Sequence, residues 1–243
     1  MRQLLGEQSS AAVTTGSDRE VVLELGAGLR LGGNLAVPGG ARGVVLFAHG
    51  SGSSRFSRRN LFVAEELQKA GFATLLMDLL TGREESAEQL TRHLRFDIEL
   101  LAERLAGAVK WLSREEETRQ LPVGLFGAST GAAAALATAA REPDHIGAVV
   151  SRGGRPDLAP ELTEVRAPTL LIVGGADDVV LELNRQAYEM LRSEKRLEVV
   201  PGATHLFEEP GALERVAELA TEWFSEHLSP RPGQPWSGEP AQP

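Results

Sequence analysis

Apolar runs and amphipathic stretches take turns along most of the chain, and each change of period marks an element. "EVVLEL" and "LRLGGNLAV" (20–25 and 29–37) predict two strands separated by a glycine turn at Gly26 to Gly28. "GVVLFAHG" (43–50) is an unbroken apolar run of the kind that is buried on both faces of a sheet. "RRNLFVAEELQKAGF" has helical spacing and ends at Gly71, after which "ATLLMDLL" reads as another buried strand. A long helical region follows from about Ser86 to Arg114, bent near Arg95. "LPVGLFGAS" is then strand, "TGAAAALATAAR" helix, "IGAVVSRGG" strand and "PTLLIVGGADD" strand. "LELNRQAYEMLRS" is helix, "KRLEVVPGATH" strand and loop, and "PGALERVAELATEWFSEHL" the final helix.

Strands that alternate with helices imply an α/β fold: a mostly parallel eight-stranded sheet with helices on both faces. The first two strands have no helix between them, so the sheet should start antiparallel. In such sheets ligands bind at the carboxyl ends of the strands. That rule gathers His49, Ser51, Ser129, Ser151, Arg152, Asp177, Asp178 and His205 onto one rim.

Composition changes this picture little. A chain of 243 residues with 42% hydrophobic and 24% charged residues suits a single globular domain, expected over 20–228. An extension over 1–19 precedes it, and a Pro/Gly-rich tail over 229–243 follows, read as a solvated end outside the fold, with docking of its Trp236 on the body or a neighbouring chain as the alternative. The net charge of −9 argues against nucleic acid, which is bound through surplus Lys and Arg. The absence of cysteine removes disulfides, thiolate nucleophiles and Cys-based zinc sites. The first fifteen residues contain no apolar run long enough for a signal-peptide core, and no stretch approaches a membrane span. The expectation is a cytoplasmic protein with no membrane partner, and its oligomeric state cannot be read from these residues.

The stretch "LFGASTGAAAAL" carries the clearest chemistry. A Gly-x-Ser-x-Gly spacing alone means little in a chain with 26 glycines. Here, however, Ser129 falls where a strand stops and a helix begins. A nucleophile on so sharp a turn leaves no room for side chains two residues to either side, a reason for Gly127 and Gly131. A helix rising straight from that turn must press closely on the sheet, which suits its alanines. Glycine and alanine would equally suit any crowded junction, so the serine needs partners.

A serine hydroxyl is a weak nucleophile and requires a base, which in turn requires a group that fixes its tautomer. Of the five histidines, His93 and His227 lie in helical stretches. His145 lies in a connection to the far end of the sheet, and His49 precedes a glycine at a strand end. His205, in the loop "PGATHLFEEP" after the last strand, is the best-placed base, although it would also suit a cap for the final helix. For the acid, Asp177 sits in the turn after the seventh strand and Asp178 next to it. Asp177 is better placed, because an Asp that begins a helix is often only a cap. Asp78, ending "LLMD", reads as a structural turn residue.

Together "FAHGSGSS", "GLFGASTGAAAAL", "LLIVGGADDVV" and "PGATHLFEEPG" resemble the α/β-hydrolase superfamily. The similarity is to its dienelactone-hydrolase-like branch of small lidless members, over about Val21 to Leu228. The resemblance implies Ser129 as nucleophile, Asp177 as acid, His205 as base, and an oxyanion hole made by the backbone amides of Ser51 and Thr130. Dienelactone hydrolases proper use a cysteine where this chain has Ser129, which places the dienelactone substrate itself in doubt. The implied reaction is hydrolysis of a small-molecule carboxylic ester through an acyl-enzyme, with no cofactor and no metal. Transfer of the acyl group to an alcohol or to peroxide, and a catalytically idle binding protein, are the alternatives.

The segment "SRGGRPDLAPELTEVRA" after the sixth strand is too short for a cap domain, so the site should be open. Arg55, Arg58 and Arg59 follow the oxyanion loop, and Arg152 and Arg155 flank Gly153-Gly154 on the same rim. Five guanidinium groups would suit an anionic or phosphate-bearing ester. The same arginines would also serve as surface partners of the many glutamates.

Overall fold

The computed structural model describes residues 16–91 and 93–228. The expected tail 229–243 with Trp236, and residues 1–15 of the expected extension, lie outside the described residues. The eight strands are β1 (Ser17–Glu24), β2 (Arg30–Val37), β3 (Val44–Ala48), β4 (Ala73–Met77), β5 (Val123–Ala128), β6 (Ile146–Arg152), β7 (Thr169–Gly174) and β8 (Lys195–Val200). They form one sheet in the order β1-β2-β4-β3-β5-β6-β7-β8. β2 is antiparallel to both β1 and β4, and the remaining pairs are parallel.

Period-two alternation divides the apolar residues of the central strands between the two faces. Val45, Phe47, Phe126, Ala148 and Val150 face the helices α1 (Arg58–Lys69) and α6 (Ala212–His227). Leu46, Leu125 and Val149 face α3 (Ile98–Leu112) and α4 (Thr130–Arg141), with part of α5 (Asp178–Met190). Each fully buried Leu, Val or Phe side chain contributes roughly 1.5–3 kcal/mol. The sheet is thereby clamped from both sides, and its carboxyl edge becomes a fixed platform.

Two boundaries differ from expectation. β1 begins at Ser17 rather than near residue 20. Its early residues are held by polar bonds, Ser17 Oγ to Glu117 at 2.6 Å and Arg19 Nη2 to Glu117 at 2.8 Å, so apolar patterning carries no trace of them. The long helix expected over 86–114 is two helices, α2 (Gly82–Thr91) and α3, with a 3-10 turn at Leu94–Phe96 between them. Asp97 caps α3, accepting from the Leu100 amide at 3.0 Å. The buried Glu88 carboxylate accepts from the Leu94 amide at 2.7 Å and from Arg95 Nε at 2.5 Å. These bonds make a full break of what the periodicity suggested was a bend.

Among the described residues no helix is long and apolar enough to cross a membrane. The connection from β6 to β7 holds two 3-10 turns and no cap domain.

Candidate active site

Ser129 joins β5 to α4 with φ 51° and ψ −119°, a conformation that costs a non-glycine residue about 1 to 3 kcal/mol. The surroundings enforce it. A Cβ on Gly127 would lie 2.7 Å from the Ala132 amide nitrogen, and one on Gly131 would lie 2.5 Å from the His49 carbonyl oxygen. Both are backbone atoms that cannot give way. Ala132 to Ala135 are fully buried, so α4 approaches the sheet as closely as methyl groups allow. The Ser129 amide donates to the Arg152 carbonyl at 3.2 Å, and the Ser129 carbonyl accepts from the Arg155 amide at 3.2 Å, which ties the turn to the end of β6. Although Ser129 occupies the N-cap position of α4, its hydroxyl makes no cap bond.

That hydroxyl faces His205 Nε2 at 3.3 Å, while His205 Nδ1 lies 2.7 Å from Asp177 Oδ2. The three side chains that the sequence placed on one rim therefore form a continuous line. Asp177 is the N-cap of α5, yet its carboxylate does not cap the helix either; it is directed to the imidazole instead. Asp178, the alternative, begins α5. The His205 loop is pinned by contacts that no motif announces. Thr204 donates its amide and hydroxyl to Glu209 at 3.1 and 2.6 Å, and Phe207 is buried with φ 55°. Gly153, at φ 51°, lies against the ring: a Cβ there would stand 3.5 Å from His205 Cε1.

On the other side of Ser129, the loop after β3 carries Ser51. Its amide donates to the Thr130 hydroxyl at 2.9 Å, so this predicted oxyanion donor already has a partner inside the protein. The Thr130 amide is in the first turn of α4, where no intrahelical acceptor exists. His49 organises the loop from beneath. Its Nδ1 lies 3.0 Å from the Gly50 carbonyl, and its Nε2 accepts from the Leu79 amide at 3.4 Å. Burial, the largest influence, lowers the His49 pKa below the ordinary value and keeps the ring neutral. This structural use of His49 went unseen in the sequence.

A small pocket of about 20 Å³ lies beside this loop, lined by Ser51, Thr130, Leu79, Glu85, Glu88 and Arg95 among others. One wall of the otherwise open site is thus supplied by the connection from β4 to α3. The sequence pattern points to cover only after β6.

The ring of five arginines is corrected by the structure. Arg55 is consumed by carboxylates: it binds Asp78 through its amide and its guanidinium, donates to Asn34 at 2.8 Å and pairs with Glu20 at 2.9 Å. It latches the loop after β3 to the antiparallel strands, and Asp78 has the structural role the sequence suggested. Arg155 is forked onto Asp157 at 2.8 and 2.7 Å. Arg58 is exposed at the start of α1. Arg59 and Arg152 remain. For metals, Glu194, Glu226 and His227 bring ligand atoms within 4.8 Å of one another. They lie at the start of β8 and the end of α6, the opposite end of the sheet from Ser129.

A doubly covered sheet of this order, with a serine on a positive-φ turn at the carboxyl end of its central strand, defines an α/β-hydrolase. The chain belongs to the dienelactone hydrolase family, whose model matches residues 31–228. It is 59% identical to a dienelactone hydrolase from Anabaena variabilis of known crystal structure, with a TM-score of 0.86 over 88% of this chain and 99% of that one. It is 58% identical over 212 residues to a Mycobacterium tuberculosis protein named "Putative phosphoribosyl transferase", covering 87% of this chain and 47% of that protein. The chain thus spans about half the length of that curated relative. A dienelactone hydrolase-like promiscuous phosphotriesterase from metagenomic libraries shares the fold at 20% identity and a TM-score of 0.72, over 89% of this chain and all of that one.

Proposed function

We propose that this protein is a serine esterase that cleaves short-chain or anionic carboxylic esters through an acyl-enzyme. The observation that carries the reading is the line Ser129 Oγ, His205 Nε2, His205 Nδ1, Asp177 Oδ2, with contacts of 3.3 and 2.7 Å. A contact of 3.3 Å between nucleophile and base suits the reading, since such bonds tighten when substrate arrives.

In this reading His205 Nε2 accepts the hydroxyl proton as Ser129 Oγ attacks the ester carbonyl carbon. Asp177 holds Nδ1–H and stabilises the imidazolium. The amides of Thr130 and Ser51 receive the oxyanion, each worth roughly 3 to 4 kcal/mol of barrier. His205 returns the proton to the departing alkoxide as the tetrahedral centre collapses, leaving the acyl group on Ser129. A water molecule, deprotonated by His205, then attacks the acyl carbonyl and releases the acid. The open rim allows varied esters to enter.

The test is covalent labelling by a fluorophosphonate together with turnover of p-nitrophenyl acetate. Wild-type protein should do both, and Ser129→Ala neither. Persistent labelling of the alanine variant, or a wild type inert to both reagents, overturns the proposal. Adding alcohol to the turnover assay separates water from another acyl acceptor by the products formed.

A further inference from the structure

The amino end of the sheet, opposite Ser129, carries a second group of side chains that the esterase reading does not use. His227 lies in the last turn of α6, and its side chain is 9% exposed. Its Nε2 is buried and has no hydrogen-bond partner among the described residues. Two carboxylate oxygens face that nitrogen, Glu194 Oε1 and Glu226 Oε2, each at 3.9 Å. Both contacts are too long for hydrogen bonds. A buried polar atom without a partner is costly, so its presence asks for a reason.

The imidazole is held from behind. Its ring lies 4.2 Å, centroid to centroid, from that of Trp223, one turn earlier on α6, and Trp223 Nε1 donates to the Pro168 carbonyl at 3.3 Å. Glu194 is fixed at its backbone, where its carbonyl accepts from the Thr169 amide at 2.9 Å. The side chains of Glu194 and Glu226 are 60% and 55% exposed, so both carboxylates have room to swing. Neighbouring cations leave the gap open. Lys195 Nζ turns to the carbonyls of Tyr188 and Leu191 at 2.5 and 2.8 Å. Arg196 lies over the Trp223 ring and reaches the same Glu226 oxygen only at 3.8 Å.

The three ligand atoms lie within 4.8 Å of one another. Around a zinc ion, with bonds of about 2.0 to 2.2 Å, tetrahedral donors stand roughly 3.4 Å apart. Closing the two His227 contacts from 3.9 Å to that spacing takes about half an ångström, within reach of the exposed carboxylates. One imidazole nitrogen and two carboxylate oxygens, with solvent at the fourth position, suit a borderline divalent ion better than magnesium or calcium, which favour oxygen alone.

We propose that Glu194, Glu226 and His227 form a zinc site that ties the turn before β8 to the end of α6. β8 is an edge strand, paired on one side only, and the metal staples its start to the helix beside it. The site is remote from Ser129 and independent of the esterase reading.

Calorimetric titration with zinc chloride tests it, on the full chain without a polyhistidine tag, stripped with EDTA and then freed of chelator. Wild type should bind one zinc ion per chain. Its melting temperature should rise by about 5 to 10 °C at a hundred times the measured Kd. His227→Phe keeps a ring against Trp223 but offers no ligand, and Glu194→Gln removes one carboxylate; each should weaken binding by about tenfold or more and flatten the thermal rise. Glu194→Gln, at an exposed position, keeps the test open should His227→Phe fold poorly. Magnesium chloride controls for charge alone. A zinc heat that survives unchanged in either variant, or that magnesium reproduces, overturns the site, as does a wild type with no saturable zinc binding.

Discussion

The Ser51 amide donates its hydrogen bond to the Thr130 hydroxyl at 2.9 Å, joining the loop after β3 to the first turn of α4 across the mouth of the site. In the proposed reaction an oxyanion would draw on the same donor. The bond fixes the direction of the Ser51 amide.

Thr130→Val keeps the shape and removes the acceptor. The amide is then left unsatisfied, at a cost of about 1 to 3 kcal/mol, and the loop relaxes away from the serine. We expect kcat for p-nitrophenyl acetate to fall about tenfold with KM little changed, and Thr130→Ser to recover most of the loss. Wild-type kcat in the valine variant would show that the hydroxyl has no part in setting the donor.

The two adjacent aspartates should separate cleanly. Asp177→Asn keeps a hydrogen-bonding group beside His205 Nδ1 but presents no carboxylate to the imidazolium, and kcat should drop by about 10⁴. Asp178→Asn, at the first position of α5, should cost less than about 1 kcal/mol of stability and leave kcat within a few-fold of wild type. Equal losses in the two variants would count against the assignment.

His49 gives the fold a pH dependence of definite sign. Its folded pKa is lowered, chiefly by burial, so the unfolded chain binds a proton more readily than the native one. Its contribution is intact above the unfolded value of about 6.5, and stability is lost as pH falls below it, by at most about 1.4 kcal/mol per pH unit. Urea midpoints measured from pH 7.5 to 5 should therefore fall more steeply for wild type than for His49→Asn. Parallel slopes would remove His49 as the cause.

Much of the scaffold was written locally. The helix read over 130–141 is α4 residue for residue, because small-residue packing and a strand-to-helix junction leave their mark in consecutive positions. The rim rule brought Ser129, Asp177 and His205 together for a related reason: each lies in the turn or loop that follows the carboxyl end of a strand. What stayed hidden depends on contacts between distant segments. The Ser51 to Thr130 bond, the capture of Arg55 by Asp78 and Glu20, and the burial of Glu88 against Arg95 are pairings of polar groups, and polar residues look alike until the chain has folded. A stripe of five arginines thus read as one feature and divides in the structure into two latched groups, an exposed one, a part-exposed one paired with Glu208 and a buried one.

The helix that starts at Ser129 is buried on every side over its first turns, from Thr130 through Ala139. No residue there can grow without displacing the sheet or its neighbouring helices. Evolution toward a new substrate is therefore steered away from the elbow and into the loops that follow β3, β4 and β8, where the molecule can be rewritten while its engine block stays cast.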